Sequence, residues 1–93
     1  MVFVAKVAAI MSECAERIEA LVTFLATSLV DNPDQVAMDS DEEGDQLNIT
    51  IQVAEEDTGK IIGRSGRTIK SIRTLARAAA GDSPLLVEVD VKD

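Results

Sequence analysis

The sequence predicts a single α+β domain in the order helix, strand, strand, helix, helix, strand. Two patterns predict this fold class. In some segments apolar residues recur at three- and four-residue steps, and in others apolar and polar residues alternate strictly. Glycine and proline separate these segments. The chain has 93 residues, which is enough for one domain and hardly for two.

A first helix is predicted from Ser12, which can cap its first turn, and it ends before Pro33 because the residue before a proline avoids helical angles. Its apolar face consists of Cys14, Ile18, Leu21, Val22, Leu25 and Leu29. Residues 12–93 are assigned to the domain and residues 1–11 to an N-terminal extension, which either continues the helix or stands apart from it. Because Met11 directly precedes Ser12, a translation start at Met11 is a further hypothesis, which the intact mass of the natively expressed protein would test.

Two strands are expected to follow as a hairpin. Residues 36–38 form a short strand, and residues 47–53 alternate as a half-buried strand does. The acidic stretch between them, residues 39–45, is interpreted as a solvated turn rather than as a patch for a basic partner or a metal. Residues 85–91 alternate again and predict the last strand.

Two helices are predicted between these strands. Acidic residues and a capping Thr58 precede a short helix of at most about two turns, which residues 63–66 interrupt. The next helix runs from about Arg67 to Ala80, and Gly81 ends it. At 100° per residue its apolar face consists of Ile69, Ile72, Leu75, Ala76 and Ala79. Its opposite face carries Arg67, Lys70, Arg73 and Arg77.

The charge is distributed unevenly along the chain. The net charge of −8 argues against a nucleic-acid ligand when it is averaged over the molecule. Residues 60–77, however, contain six of the nine basic residues and no acid, so this segment carries +6 and the rest carries −14. The six are Lys60, Arg64, Arg67, Lys70, Arg73 and Arg77. An anionic ligand explains a helix face of one charge sign better than ordinary solvent exposure does.

The composition also argues against several functions. The chain has no His, Trp or Tyr, and its only aromatics are Phe3 and Phe24, so the core must be aliphatic. Cys14 is the one cysteine, so no intrachain disulfide forms, and packing is expected of it rather than reactivity. No catalytic residue, cofactor or metal site is predicted. The apolar run near the start is shorter than the roughly 20 residues that span a bilayer, so a cytoplasmic protein without a membrane partner is expected.

The turn of residues 63–66 has two glycines separated by Arg64 and Ser65. Such a turn, between two helices, lets the backbone of a polyanion approach the main chain closely. The following helix then offers free N–H groups and the positive end of its dipole. By spacing alone this pattern predicts only a turn. Neither a Walker A loop nor a dinucleotide-binding glycine motif is present.

The longer string of residues 59–72, G-K-I-I-G-R-S-G-R-T-I-K-S-I, resembles the KH signature I-I-G-x-x-G-x-x-I-x-x-I. In that family the G-x-x-G loop contacts the backbone of about four nucleotides. The resemblance implies that either Ile61 or Ile62 lines an aliphatic groove with Ile69, while the other isoleucine faces the core. The implied RNA-binding residues are Lys60, Ile61, Ile62, Gly63, Arg64, Ser65, Gly66, Arg67, Ile69, Lys70 and Arg73.

The order of elements is that of the type II, bacterial KH fold, which implies a three-stranded sheet with helices packed on one face. Residues 29–36 and 73–80 extend the resemblance to the KhpA (YlqC) family of small single-domain KH proteins, over about residues 18–91. Membership implies cytoplasmic binding of single-stranded RNA, with a role as an RNA chaperone or post-transcriptional regulator. It also implies a homodimer, or a pair with a larger KH protein (KhpB, also called Jag or EloR), and in parts of the family a link to cell shape. The alternative is a KH-fold protein-interaction module that binds RNA weakly.

Overall fold

The computed structural model describes residues 2–92, and the side chains of residues 13–92. The elements are three helices and three strands: α1 (Val2–Leu29), β1 (Ala37–Glu43), β2 (Gln46–Gln52), α2 (Thr58–Ile62), α3 (Arg67–Ala80) and β3 (Leu86–Val91). Short 3₁₀ turns at Pro33–Gln35, Glu55–Asp57 and Arg64–Gly66 connect some of them. This order confirms the predicted α+β, type II KH fold class.

The sheet has the strand order β1-β2-β3. β1 pairs with β2 antiparallel as the predicted hairpin, and β2 pairs with β3 in parallel. Leu47, Ile49 and Ile51 alternate on one face of β2 and are fully buried, whereas the residues between them are partly exposed. The helices therefore cover one face of the sheet only.

The core between the sheet and the helices is aliphatic, as the composition predicts. Ile18 and Val22 of α1, Ile61 of α2 and Ile72 of α3 pack there against β2 and β3. Cys14 is buried in the same cluster, and its Sγ lies 3.8 Å from the carbonyl of Ala80. The thiol is thus part of the packing, as expected.

The predicted start of the first helix at Ser12 is wrong. α1 begins at Val2, so residues 2–11 continue the helix, which was one of the two alternatives. These residues contain neither glycine nor proline, and a backbone without a breaker extends readily. Ser12 therefore lies inside the helix and does not cap it. Leu29, which belongs to the predicted apolar face, is the last residue of α1 and is 41% exposed. Met1 and Asp93 lie outside the described residues.

The predicted acidic turn of residues 39–45 is also wrong. β1 continues through Glu43, and the hairpin turns at Gly44, whose φ is +60°. β1 is an edge strand with mostly exposed side chains, so its pairing needs only backbone hydrogen bonds and no apolar alternation. An apolar pattern could not reveal such a strand.

The bounds of α3 agree with the prediction, including its end before Gly81 at φ +56°. Its buried strip is Ile69, Ile72, Ala76 and Ala80. Leu75 is 47% exposed and Ala79 is exposed, so these two residues of the predicted apolar face lie outside the core. The helix packs against both α1 and β3, which rotates the buried strip away from these two residues. Thr58, the expected cap of α2, is instead its first helical residue.

Candidate functional site

The turn of residues 63–66 has a backbone that only glycine adopts easily. Gly63 has φ +76° and Gly66 has φ +72°, and Ser65 between them is also left-handed at φ 58°. The Gly66 N–H donates to the Gly63 carbonyl at 3.2 Å, which closes the turn. A Cβ on Gly63 would lie 2.2 Å from Oγ1 of Thr68, whereas a Cβ on Gly66 would meet nothing within 4 Å. The turn is therefore packed against α3 at Gly63 and open at Gly66.

The two isoleucines before the turn have different surroundings. Ile61 is fully buried and belongs to the core, and Ile62 is partly exposed. Ile69 is 6% exposed and also packs in the core. The structure thus decides the choice that the sequence left open: Ile61 faces the core, and Ile62 is the isoleucine left at the surface.

The six cations of residues 60–77 fall into two groups. Lys60, Arg73 and Arg77 each lie within ion-pair distance of a carboxylate. Among the ion pairs of the described side chains, none involves Arg64, Arg67 or Lys70, and all three are exposed. Three cations of residues 60–77 therefore have no carboxylate partner among the described side chains. They are concentrated at the 63–66 turn and the first turn of α3.

Asp57 is a buried acid that the sequence did not single out. Its carboxylate accepts the backbone N–H groups of Asp31 and Asn32 at 3.2 and 3.0 Å, the Asn32 side-chain amide at 3.0 Å, and Nζ of Lys60 at 3.2 Å. Lys60 also contacts Asp31. We call these four residues the Asp57 network. It ties the loop after α1 to the start of α2, just before the 63–66 turn, and places two carboxylates against the predicted RNA contact Lys60.

The pKa of Asp57 reflects this environment. Burial alone would raise it, but the hydrogen bonds from Asn32, Asp31 and Lys60 outweigh burial and lower the pKa to about 2. The hydrogen bonds that Lys60 donates, first to Asp31 and then to Asp57, raise the pKa of Lys60. Both groups are therefore charged at neutral pH, and the turn is preceded by a fixed ionic junction.

Arg73 and Arg77 lie over the open edge of β3. Nε of Arg73 donates to the Val89 carbonyl at 2.8 Å, and its Nη2 lies 3.0 Å from Asp90. Nε of Arg77 donates to the Val87 carbonyl at 3.3 Å, and its Nη2 lies 3.5 Å from Glu88. Arg73, a predicted RNA contact, thus already binds groups of the protein itself.

The face of the sheet opposite the helices is acidic. Directly paired residues share a face, so Asp39, Thr50 and Asp90 form one row across the three strands. Asp41, Asn48 and Glu88 form the next row, and Glu43 lies beyond it. The fold therefore separates the charges, with acids on the outer face of the sheet and cations around the turn and α3.

We also searched the described residues for a metal-ion site and for a membrane-spanning helix. Among the side chains of residues 13–92, no three of His, Cys, Asp or Glu are arranged to hold a metal ion. None of the helices described has the length and apolarity that crossing a membrane requires.

The element order and the glycine turn between α2 and α3 define this chain as a KH domain of the type II arrangement. The family model described as "KhpA/KhpB, KH domain" matches residues 19–91. The chain belongs to this family.

Several curated relatives carry the name "RNA-binding protein KhpA". The chain is 37% identical over 83 residues to the protein from Borreliella burgdorferi, which covers 89% of this chain and 100% of that protein. It is 36% identical over 78 residues to the one from Bacillus subtilis, covering 84% and 96%. It is 40% identical over 73 residues to the one from Halalkalibacterium halodurans, covering 78% and 96%. No solved structure matches the chain significantly.

Proposed function

We propose that this chain binds single-stranded RNA by its sugar–phosphate backbone at the 63–66 turn and acts as an RNA chaperone or post-transcriptional regulator. One observation carries the proposal. The cations without a carboxylate partner among the described side chains of residues 60–77 are Arg64, Arg67 and Lys70, and they surround a turn whose backbone is open at Gly66. The names of the KhpA relatives support the same ligand.

The geometry of the turn suits a phosphate. With no side chain at Gly66 and no atom near its Cβ position, a phosphate can approach the main chain. The Arg67 N–H donates to the Arg64 carbonyl, and the next N–H groups of the first turn of α3 have no partner within the helix. Arg64 and Arg67 supply charge-assisted hydrogen bonds beside them. The contact is therefore made to the RNA backbone, whatever the base.

The remaining predicted contacts divide by what surrounds them. Ile62 is the partly exposed apolar group beside the turn and would contact a base, whereas Ile69 is only 6% exposed. Ile61 and Lys60 would position the turn rather than contact RNA. Ile61 anchors α2 in the core, and Lys60 belongs to the Asp57 network. Gly63 shapes the turn, and Ser65 lies exposed at its tip.

The test replaces the tip of the turn by acids. In Arg64→Asp/Ser65→Asp, we expect affinity for a pool of short single-stranded RNAs to fall by about 100-fold, because the charge-assisted contact of Arg64 is lost and the repulsion of two carboxylates is added. Aspartate tolerates the left-handed backbone of Ser65, so folding should survive. Fluorescence anisotropy at two salt concentrations measures the effect.

The matched control is Arg17→Asp/Ala20→Asp, which makes the same change of charge at two exposed positions of α1. It should weaken binding only a few-fold, because charges beyond about 8 Å are largely screened at physiological salt. Wild-type affinity should also fall as salt rises, since phosphate contacts release counterions. Equal losses in the two variants would remove the turn from the mechanism.

A protein-interaction module is the second candidate, and exposed Phe24 favours it. This aromatic side chain on α1 is 66% exposed, and aromatic residues are enriched at protein interfaces. We propose that the chain pairs with a second copy or with a larger KH protein of the KhpB type, which would supply the selectivity that one four-nucleotide contact lacks.

The proposed setting is the cytoplasm, with no catalytic role. A contribution to cell shape is part of the same proposal.

A further inference from the structure

Arg73 and Arg77, here called the edge arginines, are each held at two points. The N–H groups of Leu86 and Lys92 point toward β2, because each donates to β2 or to the residue just before it. Backbone groups alternate in direction along a strand, so those of Val87 and Val89 point to the open edge of β3. The Nε atoms of the edge arginines donate to these two carbonyls. Their Nη2 atoms face the carboxylates beside them.

The two kinds of partner differ in how easily they are replaced. The bonds to the strand carbonyls are partly buried. The side chains of Asp90 and Glu88 are 79% and 58% exposed, and exposed ion pairs hold weakly. A guanidinium has five N–H donors, so exchange of a carboxylate for another anion leaves the Nε bond intact. Each edge arginine is thus oriented by the backbone and only loosely neutralised.

The edge arginines continue the positive charge of the turn along α3. At 100° per residue Lys70 lies within about 60° of both around the helix. A polyanion bound at Arg64 and Arg67 and passing Lys70 therefore meets the edge arginines next. The acidic outer face of the sheet repels the alternative path.

We propose that Asp90 and Glu88 compete with RNA phosphates for the edge arginines, so that bound RNA replaces the two carboxylates while the Nε–carbonyl bonds keep both guanidiniums in place. This inference rests on the proposed RNA binding and extends it. The contact then runs from the turn to Arg77, and the two acids lower the affinity that the basic helix would otherwise reach. They favour RNA that is already held at the turn over anions that meet the edge arginines alone.

The test compares two pairs of isosteric substitutions on the outer face of the sheet. Glu88→Gln/Asp90→Asn removes the competing carboxylates, and Asp39→Asn/Asp41→Asn makes the same change of charge at exposed acids of β1. With a single-stranded RNA of about eight nucleotides, the first variant should bind about 3- to 10-fold more tightly than the second. Equal affinity of the two variants would overturn the proposal.

A double-mutant cycle gives an independent result. In an Arg73→Gln/Arg77→Gln background, adding Glu88→Gln/Asp90→Asn should no longer tighten binding beyond the β1 control, because the groups that the acids compete for are gone. Tightening of the same size in both backgrounds would contradict the proposal. If the glutamine background fails to fold, the first comparison still decides. The affinity of Arg64→Asp/Ser65→Asp tests the turn separately, so failure of this inference can be distinguished from failure of the proposed function.

Discussion

At the scale of single residues, the two glycines of the turn do different work. Both have a positive φ, which a side chain at Cβ disfavours. Only Gly63 also lacks room, since its Cβ position lies 2.2 Å from Oγ1 of Thr68 and 2.9 Å from the Thr68 backbone nitrogen. The G-x-x-G pattern predicts both positions equally. The packing of α3 against the turn makes them unequal.

Gly63→Ala and Gly66→Ala therefore provide a matched pair. We expect Gly66→Ala to lower the free energy of unfolding by about 1 kcal/mol, which is the cost of a left-handed alanine. Gly63→Ala should cost about 2–4 kcal/mol, because strain and overpacking add. Urea unfolding followed by circular dichroism measures both. Equal losses would mean that Thr68 moves aside and that the packing is not what requires Gly63.

At the scale of elements, the Asp57 network joins α1 to α2. The carboxylate of Asp57 faces donors only, which are two backbone N–H groups, an amide and an ammonium group. An asparagine at this position would turn an NH₂ group toward one of those donors. Since α2 is five residues long and cannot be stable alone, its placement before the turn depends on such tertiary contacts.

The network predicts a specific response to acid. The pKa of Asp57 in the folded state, about 2, lies below its ordinary value of 3.8. Its carboxylate therefore stabilises the fold above about pH 4, and this contribution is lost as the pH falls through about 2. Asp57→Asn should be less stable than wild type at pH 7 and lose less stability between pH 4 and pH 2. Urea unfolding across this pH range measures the difference.

Glu55→Gln is the control for that experiment, because Glu55 is an exposed acid two residues away. It should follow the wild-type pH dependence closely. A wild-type slope retained in full by Asp57→Asn would assign the acid sensitivity to other carboxylates of this acidic chain.

At the scale of the whole molecule, charge is segregated by the fold rather than by the sequence alone. The acids of residues 39–43 would be a solvated loop if they formed a turn. Because they form strand β1, Asp39, Asp41 and Glu43 lie in rows with residues of β2 and β3 and make one face of the sheet negative. The RNA that we propose as ligand is thereby confined to the side of the turn and α3. The outer face of β1 and the exposed Phe24 stay available for a protein partner.

Pairing through α1 is tested by Phe24→Glu. If the exposed Phe24 lies at the centre of a protein interface, a buried charge there should convert a dimer to a monomer, as light scattering after gel filtration measures. Leu75→Glu, at another exposed apolar residue, should leave the mass unchanged. Both substitutions are at the surface, so their unfolding free energies should change by only about 0.5 kcal/mol. A dimeric Phe24→Glu protein would place the interface elsewhere.

What the sequence by itself determined is local. The extent of α3, the glycine turn and the buried alternation of β2 follow from neighbouring residues, because propensity, capping and periodicity operate over a few positions. The same patterns mistook the acidic edge strand for a turn, since an exposed edge strand is held by backbone bonds that leave no apolar signal.

Only the tertiary structure decided which groups remain for a ligand. Lys60 meets Asp31 across 29 residues, and Arg73 meets Asp90 across 17, so neither pairing is readable from spacing. The choice between Ile61 and Ile62 likewise depends on how α2 packs against the core. From six equivalent cations in the sequence, these long-range contacts leave three at the turn without a carboxylate partner among the described side chains and orient two more along the edge of β3. The physical reason is that a charge acts through its neighbours in space, and the fold chooses those neighbours.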